Sequence, residues 1–174
     1  MTNLLTPKSQ LPAFELPLLS GGTFSVEEAS PEHFQIIVSY RGLHCPKCKA
    51  QLKAIDPMVA DIRADGHDIV AMSMDSEERA QKAKDDWGIE ELPIAHSLEL
   101  MDAKSLGLFI SDAISDKEPK IFSEPGIFVV HSDGTLYAQI VQNTPFGRPD
   151  MQDLIDGLNF AVKNDYPTRG TSVV

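Results

Sequence analysis

Residues 34–40 (Phe-Gln-Ile-Ile-Val-Ser-Tyr) and 68–74 (Asp-Ile-Val-Ala-Met-Ser-Met) are near-continuous runs of β-branched, aromatic and apolar side chains. A strand with one wet face alternates apolar and polar residues, so runs of this kind predict strands covered on both faces. Between them Leu52, Ile55, Met58, Val59 and Ile62 recur at helical spacing, and Gly66 marks the end of that helix. Strand, helix and strand in this order predict a parallel βαβ unit, which restricts the chain to an α/β architecture.

The flanking segments extend that unit. Residues 14–19, the turn signal Ser20-Gly21-Gly22 and residues 23–26 predict a small N-terminal hairpin. A polar helix is expected over residues 77–87, ending at Gly88. Residues 103–109 read as a short helix and residues 111–124 as a charged surface loop. Residues 127–131 and 136–141 read as antiparallel strands joined by a turn at Asp133-Gly134. A closing helix carries Leu154, Ile155, Leu158, Phe160 and Ala161, and Pro149 and Asp150 suit its start. No repeat or linker divides the 174 residues, so one domain over 1–174 is expected, with residues 167–174 a loose tail. The expected fold class is α/β: a mixed central sheet flanked by helices, with a small N-terminal β extension.

The two cysteines of the chain stand as Cys45-Pro46-Lys47-Cys48, where the first apolar strand gives way to the helix. A sulfur at a helix N-terminus meets free backbone N–H groups and the positive end of the helix dipole, and both favour the thiolate. Cys45 is therefore the expected attacking thiolate. Cys48, one turn inside, is in reach to resolve a mixed disulfide or a sulfenic acid. Pro46 fits the first helical turn, where its missing N–H has no intrahelical partner to lose. Lys47 and His44 flank the dithiol as sources of positive charge, or as a solvated side chain and a bystander. Arg41 either supplies charge to a thiolate or peroxide or salt-bridges at the surface. Arg148 either braces the site loop or lies on the surface, and Trp87, Met72 and Met74 read as packing.

Composition excludes several function classes. A net charge of −11 disfavours nucleic acid and anionic membranes as partners. No apolar run approaches a membrane span, which takes about 20 residues. The first ten residues lack the basic and apolar regions of a secretory signal, so a cytoplasmic location is expected. In that reducing compartment a cysteine pair at this spacing is catalytic or metal-binding before it is a structural staple. Zinc takes four ligands, and His33, His44, His67, His96 and His131 are scattered singly, so no metal is expected. No Gly-x-Gly-x-x-Gly or P-loop is present to hold a nucleotide, and no cofactor is expected.

The segment Tyr40-Arg41-Gly42-Leu43-His44-Cys45-Pro46-Lys47-Cys48 with Gln51-Leu52 resembles the AhpC/TSA, peroxiredoxin-like branch of the thioredoxin superfamily. So do residues 98–108, residues 127–130 with Asp133-Gly134, and Gly147-Arg148. The resemblance spans about residues 11–165 and implies a thioredoxin-like fold. Three positions depart from the family pattern. Its Thr three residues before the reactive Cys and its Pro seven before it are here Gly42 and Val38. An Arg that the family carries just before the last hairpin is here Glu124-Pro125. In compensation, the resemblance puts Pro125 at the place of the thioredoxin cis-proline, which offers a backbone edge to a substrate chain; the alternative is a proline that simply opens a strand.

The resemblance implies a thiol-dependent oxidoreductase that cycles between the Cys45/Cys48 dithiol and its disulfide. Its substrate is a hydroperoxide or a protein disulfide, and an external thiol reductant of thioredoxin or glutathione type closes the cycle. Relatives are often dimers, so a homodimer is implied as well. The alternative is a non-catalytic module that holds a soft metal ion, or senses redox state, through the same dithiol.

Overall fold

The structure, a computed structural model, describes residues 5–172. Its centre is a five-stranded sheet ordered β5-β4-β3-β8-β9, comprising β3 (Phe34–Ser39), β4 (Asp68–Met72), β5 (Ile94–Ala95), β8 (Gly126–His131) and β9 (Leu136–Val141). β3 runs parallel to β4 and antiparallel to β8, so the sheet is mixed. All six residues of β3 are buried, as its unbroken apolar run requires. Ile36 and Val38 face one core and Ile37 the other, because successive strand residues point to opposite faces.

Three longer helices and a short one cover the first face: α1 (Pro46–Ile55), α2 (Val59–Ala64), α3 (Glu77–Trp87) and α5 (Met151–Lys163). They bring Leu52, Ile62, Ala83 and Ile155 against Ile36, Val38 and Val129. The hairpin β1 (Glu15–Pro17)/β2 (Thr23–Ser25) and the short α4 (Leu100–Ser105) cover the second face, with Leu16, Ala103 and Leu106 against Ile37 and Phe128. The fold class expected from the sequence is thus the one observed. No helix among the described residues is long and apolar enough to cross a membrane.

Four details differ from the sequence expectations. The helix after the dithiol is interrupted by a 3₁₀ turn at Asp56–Met58, because Pro57 has no N–H to give and clashes with a continuing α-helix. The break frees the Asp56 carboxylate to accept the backbone N–H groups of Glu90, Glu91 and Leu92, which ties the end of α1 to the approach to β5. Strand β5, too short to leave a sequence pattern, completes the sheet. Helix α4 begins at Leu100 and stops before Gly107, whose φ of +75° lies outside the helical region, so the expected helix over 103–109 is displaced. Within the expected loop over 111–124, β6 (Ile110–Asp112) and β7 (Ile121–Ser123) pair antiparallel, and Phe122, Ser123 and Glu124 are buried. Residues 167–172 form neither helix nor strand, and the last two residues of the expected loose tail lie outside the described residues.

Candidate active site

The site is built where β3 hands the chain to α1. Tyr40 continues the strand by donating its N–H to the Met72 carbonyl at 2.9 Å. The chain then turns at Gly42, whose φ of +135° suits glycine alone. A Cβ there would sit 2.8 Å from both carboxylate oxygens of Asp75, so the position excludes a side chain twice over. Asp75 is 2% exposed and accepts the Leu43 N–H at 2.8 Å, while Arg79 Nε donates to its other oxygen at 2.9 Å. The carboxylate thus fastens the loop before the cysteines to the end of β4. The threonine of the family pattern has no room here.

Cys45 is the N-cap of α1. Its sulfur accepts the Cys48 N–H at 3.2 Å, and Pro46 occupies the first turn as expected. The Cys45 thiol is pulled down to about 6. The largest cause is the hydrogen bond from the Cys48 thiol; burial opposes it, and the Cys48 N–H, Arg41 and Arg148 reinforce it. Cys48 moves the opposite way, raised first by burial and then by the hydrogen bond it gives Cys45. Deprotonation of one sulfur at the expense of the other is what an attacking and a resolving thiol require. Both cysteines are free and almost fully buried, at 1% and 0% exposure.

Arg148, from the loop before α5, closes over the pair. Its Nη2 lies 3.1 Å from Cys48 Sγ and 3.8 Å from Cys45 Sγ, its Nη1 donates to Gln51 Oε1, and its Nε donates to the Pro145 carbonyl at 2.8 Å. The sequence left Arg148 as a brace or a surface residue, because nothing local ties it to a cysteine 103 positions away. Arg41 is engaged differently. Its backbone N–H donates to Cys48 Sγ at 3.4 Å, and its guanidinium runs over the Phe122 ring at 4.8 Å. There it pairs with Glu124 at 3.0 Å and Glu118 at 3.9 Å. Ser111 Oγ donates to the second Glu124 oxygen at 2.7 Å. Glu118 has no signal beyond its charge in a segment expected to be a surface loop, and Glu124 only its place in the family pattern.

The flanking residues divide. Lys47 is exposed on α1. His44 packs its ring edge-on against Phe122, 4.6 Å between centroids, and neither buried ring nitrogen has a hydrogen-bond partner. Burial, then the Arg41 charge, holds its pKa down, so His44 is a neutral imidazole and supplies no positive charge near pH 7. Pro125 corrects an expectation: no peptide bond among the described residues is cis. The Glu124 N–H is taken by the Phe109 carbonyl, and the Pro125 carbonyl accepts the Gln142 N–H at 3.0 Å, so this backbone is spent within the fold rather than offered as an edge. The buried Pro125 opens β8, a usual place for proline in a sheet. As for the metal alternative, no group of three or more His, Cys, Asp or Glu side chains suited to a metal is found among the described residues.

Beside the dithiol, α1 and the loop before α5 enclose a groove of about 550 Å³, lined by Lys47, Gln51, Ala54, Met58, Phe146 and Arg148 among others. Arg148 forms the wall between this groove and the sulfurs.

The same frame recurs in solved structures. AhpC of Enterococcus faecalis superposes with a TM-score of 0.75 at 16% identity, covering 98% of this chain and 99% of that one. Reduced Prx3 of Vibrio vulnificus, solved in complex with hydrogen peroxide, gives 0.74 at 16% identity over 89% of this chain and 99% of its own. Peroxidoxin BcpB of Mycobacterium tuberculosis gives 0.73 at 14% identity over 91% and 98%. At these identities the likeness is one of fold. Nothing among curated protein sequences matches the chain. The profile of the AhpC/TSA family matches residues 7–139, a stretch that runs from the N-terminal hairpin through the dithiol to the last hairpin, and the chain belongs to that family.

Proposed function

We propose that this protein is a thiol peroxidase that turns over through a Cys45–Cys48 disulfide. One observation carries the proposal: an N-cap sulfur that accepts the Cys48 N–H at 3.2 Å, its pKa pulled down to about 6, with the partner thiol one helical turn away. In the first step the Cys45 thiolate attacks the terminal peroxide oxygen. The O–O bond breaks, sulfur gives up two electrons and becomes a sulfenic acid, and the alkoxide or hydroxide leaves and takes a proton from solvent. In the second step Cys48 loses its proton and attacks the Cys45 sulfur, forming the disulfide and releasing water. Arg148 and Arg41 stabilise the thiolate beforehand and the departing oxyanion in the transition state. Two external thiols then reduce the disulfide.

Burial favours the hydroperoxide among the two substrates left open by the sequence. Both sulfurs lie beneath Arg148, which a two-oxygen oxidant can pass more readily than a folded protein's disulfide. The Pro125 carbonyl, already taken by the Gln142 N–H, also speaks against an edge on which a substrate chain could pair. The peroxide described with the Vibrio vulnificus relative supports the same choice.

The test is thiol loss in the reduced protein on mixing with hydrogen peroxide, against Cys45→Ser and a small thiol at equal concentration. A rate far above the small thiol's, absent in the variant, is expected. A rate no better than the small thiol's overturns the peroxidase and leaves thiol–disulfide exchange as the activity of the pair.

A further inference from the structure

We infer that the groove between α1 and the loop before α5 admits the reductant, a small thiol bearing carboxylates, and that this thiol attacks Cys48 rather than Cys45. The inference rests on the disulfide cycle proposed above and assigns its second half.

The placement is geometric. Lys47, Gln51 and Ala54 fall four and three residues apart, so one face of α1, extended by Met58 of the 3₁₀ turn, forms the groove floor. Phe146 walls it, and its head is Arg148. That guanidinium is joined to Gln51 on the groove side and to Cys48 Sγ on the other, at 3.1 Å against 3.8 Å for Cys45. Of the two sulfurs, Cys48 is the one this wall residue holds more closely, so displacing Arg148 uncovers Cys48. Its volume, about 550 Å³, is in the range that holds small ligands and suits a thiol of tripeptide size.

Charge selects the occupant. The protein carries a net charge of −11, yet from Cys45 to Ile55 it presents Lys47, Lys49 and Lys53 and no acid. Lys47 and Arg148 both line the groove. The one carboxylate in the lining, Asp150, is committed to capping α5 through the Asp153 N–H at 2.9 Å. A carboxylate also matches the planar fork of Arg148, and in taking it draws the guanidinium off the sulfur it covers. A carboxylate-bearing thiol thus uncovers its own target. The step balances as thiol exchange: the incoming thiolate bonds to Cys48 Sγ, the S–S bond breaks, and Cys45 leaves as thiolate. A second thiol then attacks the first one's sulfur and releases Cys48 as a thiol. Cys45 is also the better leaving group of the two, being the less basic sulfur.

The experiment uses the full chain oxidised with diamide, which forms the disulfide whether or not peroxide is the natural oxidant. Reduction is timed with glutathione and with its dialkyl ester, each corrected to thiolate concentration. Glutathione is expected to be at least tenfold faster, and Lys47→Glu to remove most of that ratio. Ala54→Trp, which fills the groove, is expected to slow glutathione by a similar factor, with circular dichroism reporting its fold. After a single addition of glutathione and a rapid iodoacetamide quench, trypsin cuts after Lys47 and separates the two cysteines. Glutathione on Cys48 with the alkyl group on Cys45 is expected. Equal rates for acid and ester, a ratio untouched by Lys47→Glu, the reverse labelling, or reduction by a thioredoxin-type protein alone each overturn the inference. Absence of any disulfide after diamide instead overturns the cycle itself.

Discussion

Arg41 Nε lies 3.0 Å from Glu124 Oε2, across the two neighbouring chain segments that close the reactive end of the sheet. The family pattern carries its arginine at the position of Glu124; here the guanidinium comes from the segment before the cysteines, and the carboxylate receives it. The exchange keeps a positive charge near Cys45 while tying the dithiol loop to the β6–β7 hairpin. Both side chains are mostly buried, at 15% and 5% exposure, and Ser111 and Phe122 complete the seat.

Removing Glu124 leaves the mostly buried Arg41 charge with only the longer Glu118 contact at 3.9 Å. Glu124→Ala is therefore expected to cost on the order of 3 kcal/mol, measured by urea unfolding of the reduced protein. The double replacement Arg41→Met/Glu124→Met is expected to cost clearly less, because no orphaned charge remains. Equal losses in the two variants would show that the segment needs the carboxylate for its shape and not for the Arg41 charge.

The thiolate at Cys45 fixes a pH profile. Its pKa of about 6 lies well below the usual thiol value of 9.0, so the reactive form grows as pH rises through 6 and is nearly complete by about pH 7. Cys48 is shifted upward and stays protonated across that range. Alkylation of the reduced protein by iodoacetamide is expected to rise tenfold per pH unit below 6 and then level off, with label on Cys45 alone. A midpoint near 9, or label shared between the cysteines, would remove the basis for separate attacking and resolving roles.

How much of this was legible beforehand follows from the range of each signal. The strands expected over 34–40 and 68–74, observed over 34–39 and 68–72, announce themselves through local periodicity, as do the helix over 77–87 and the hairpin across Asp133-Gly134, both observed. So does Cys45 as an N-cap, because strand end, Cys, Pro and helix are consecutive. Strand β5 is two residues long and carries no period. Arg148, Glu124 and Asp75 meet the dithiol loop only through tertiary folding, from 32 positions away in the case of Asp75 and Leu43. Sequence spacing holds no record of such contacts. At Pro125 the sequence leaves a strand-opening proline beside the cis form, because a proline at the right place in a family pattern says nothing about its peptide bond.

Arg148 is the cation nearest Cys48, and its reach to Cys45 is longer by 0.7 Å (3.8 less 3.1 Å). Arg148→Met is expected to raise the Cys45 pKa by on the order of one unit and to slow peroxide reduction by about 10–100-fold. Arg148→Lys, which keeps the charge but not the fork to Gln51 and sulfur, is expected to fall between the two. The iodoacetamide profile separates the contributions: a pKa restored by lysine with a rate still slow assigns the fork to the transition state. A methionine variant with unchanged pKa and rate would reduce Arg148 to a lid.

Gly42 yields the sharpest test of how this site departs from its family. The family pattern places a threonine at this position, so Gly42→Thr tempts as a restoration. Two features of the structure forbid it. A φ of +135° strains any side chain with a Cβ, and that Cβ would meet the Asp75 carboxylate at 2.8 Å. Asp75 has little freedom to withdraw, since it is buried and holds the Leu43 N–H and Arg79. Gly42→Thr is thus expected to destabilise the protein by on the order of 1–3 kcal/mol and to slow peroxide reduction, because the loop that places Cys45 must move. Asp75→Gly makes the room without relieving the backbone, and leaves the Leu43 N–H unpaired. Adding it to Gly42→Thr should therefore recover only part of the stability. Thermal melts of the two single variants and the double measure the coupling directly. Full recovery in the double would mean that the carboxylate alone excludes threonine, whereas a stable, faster Gly42→Thr single variant would mean that the loop is freer than its hydrogen bonds imply.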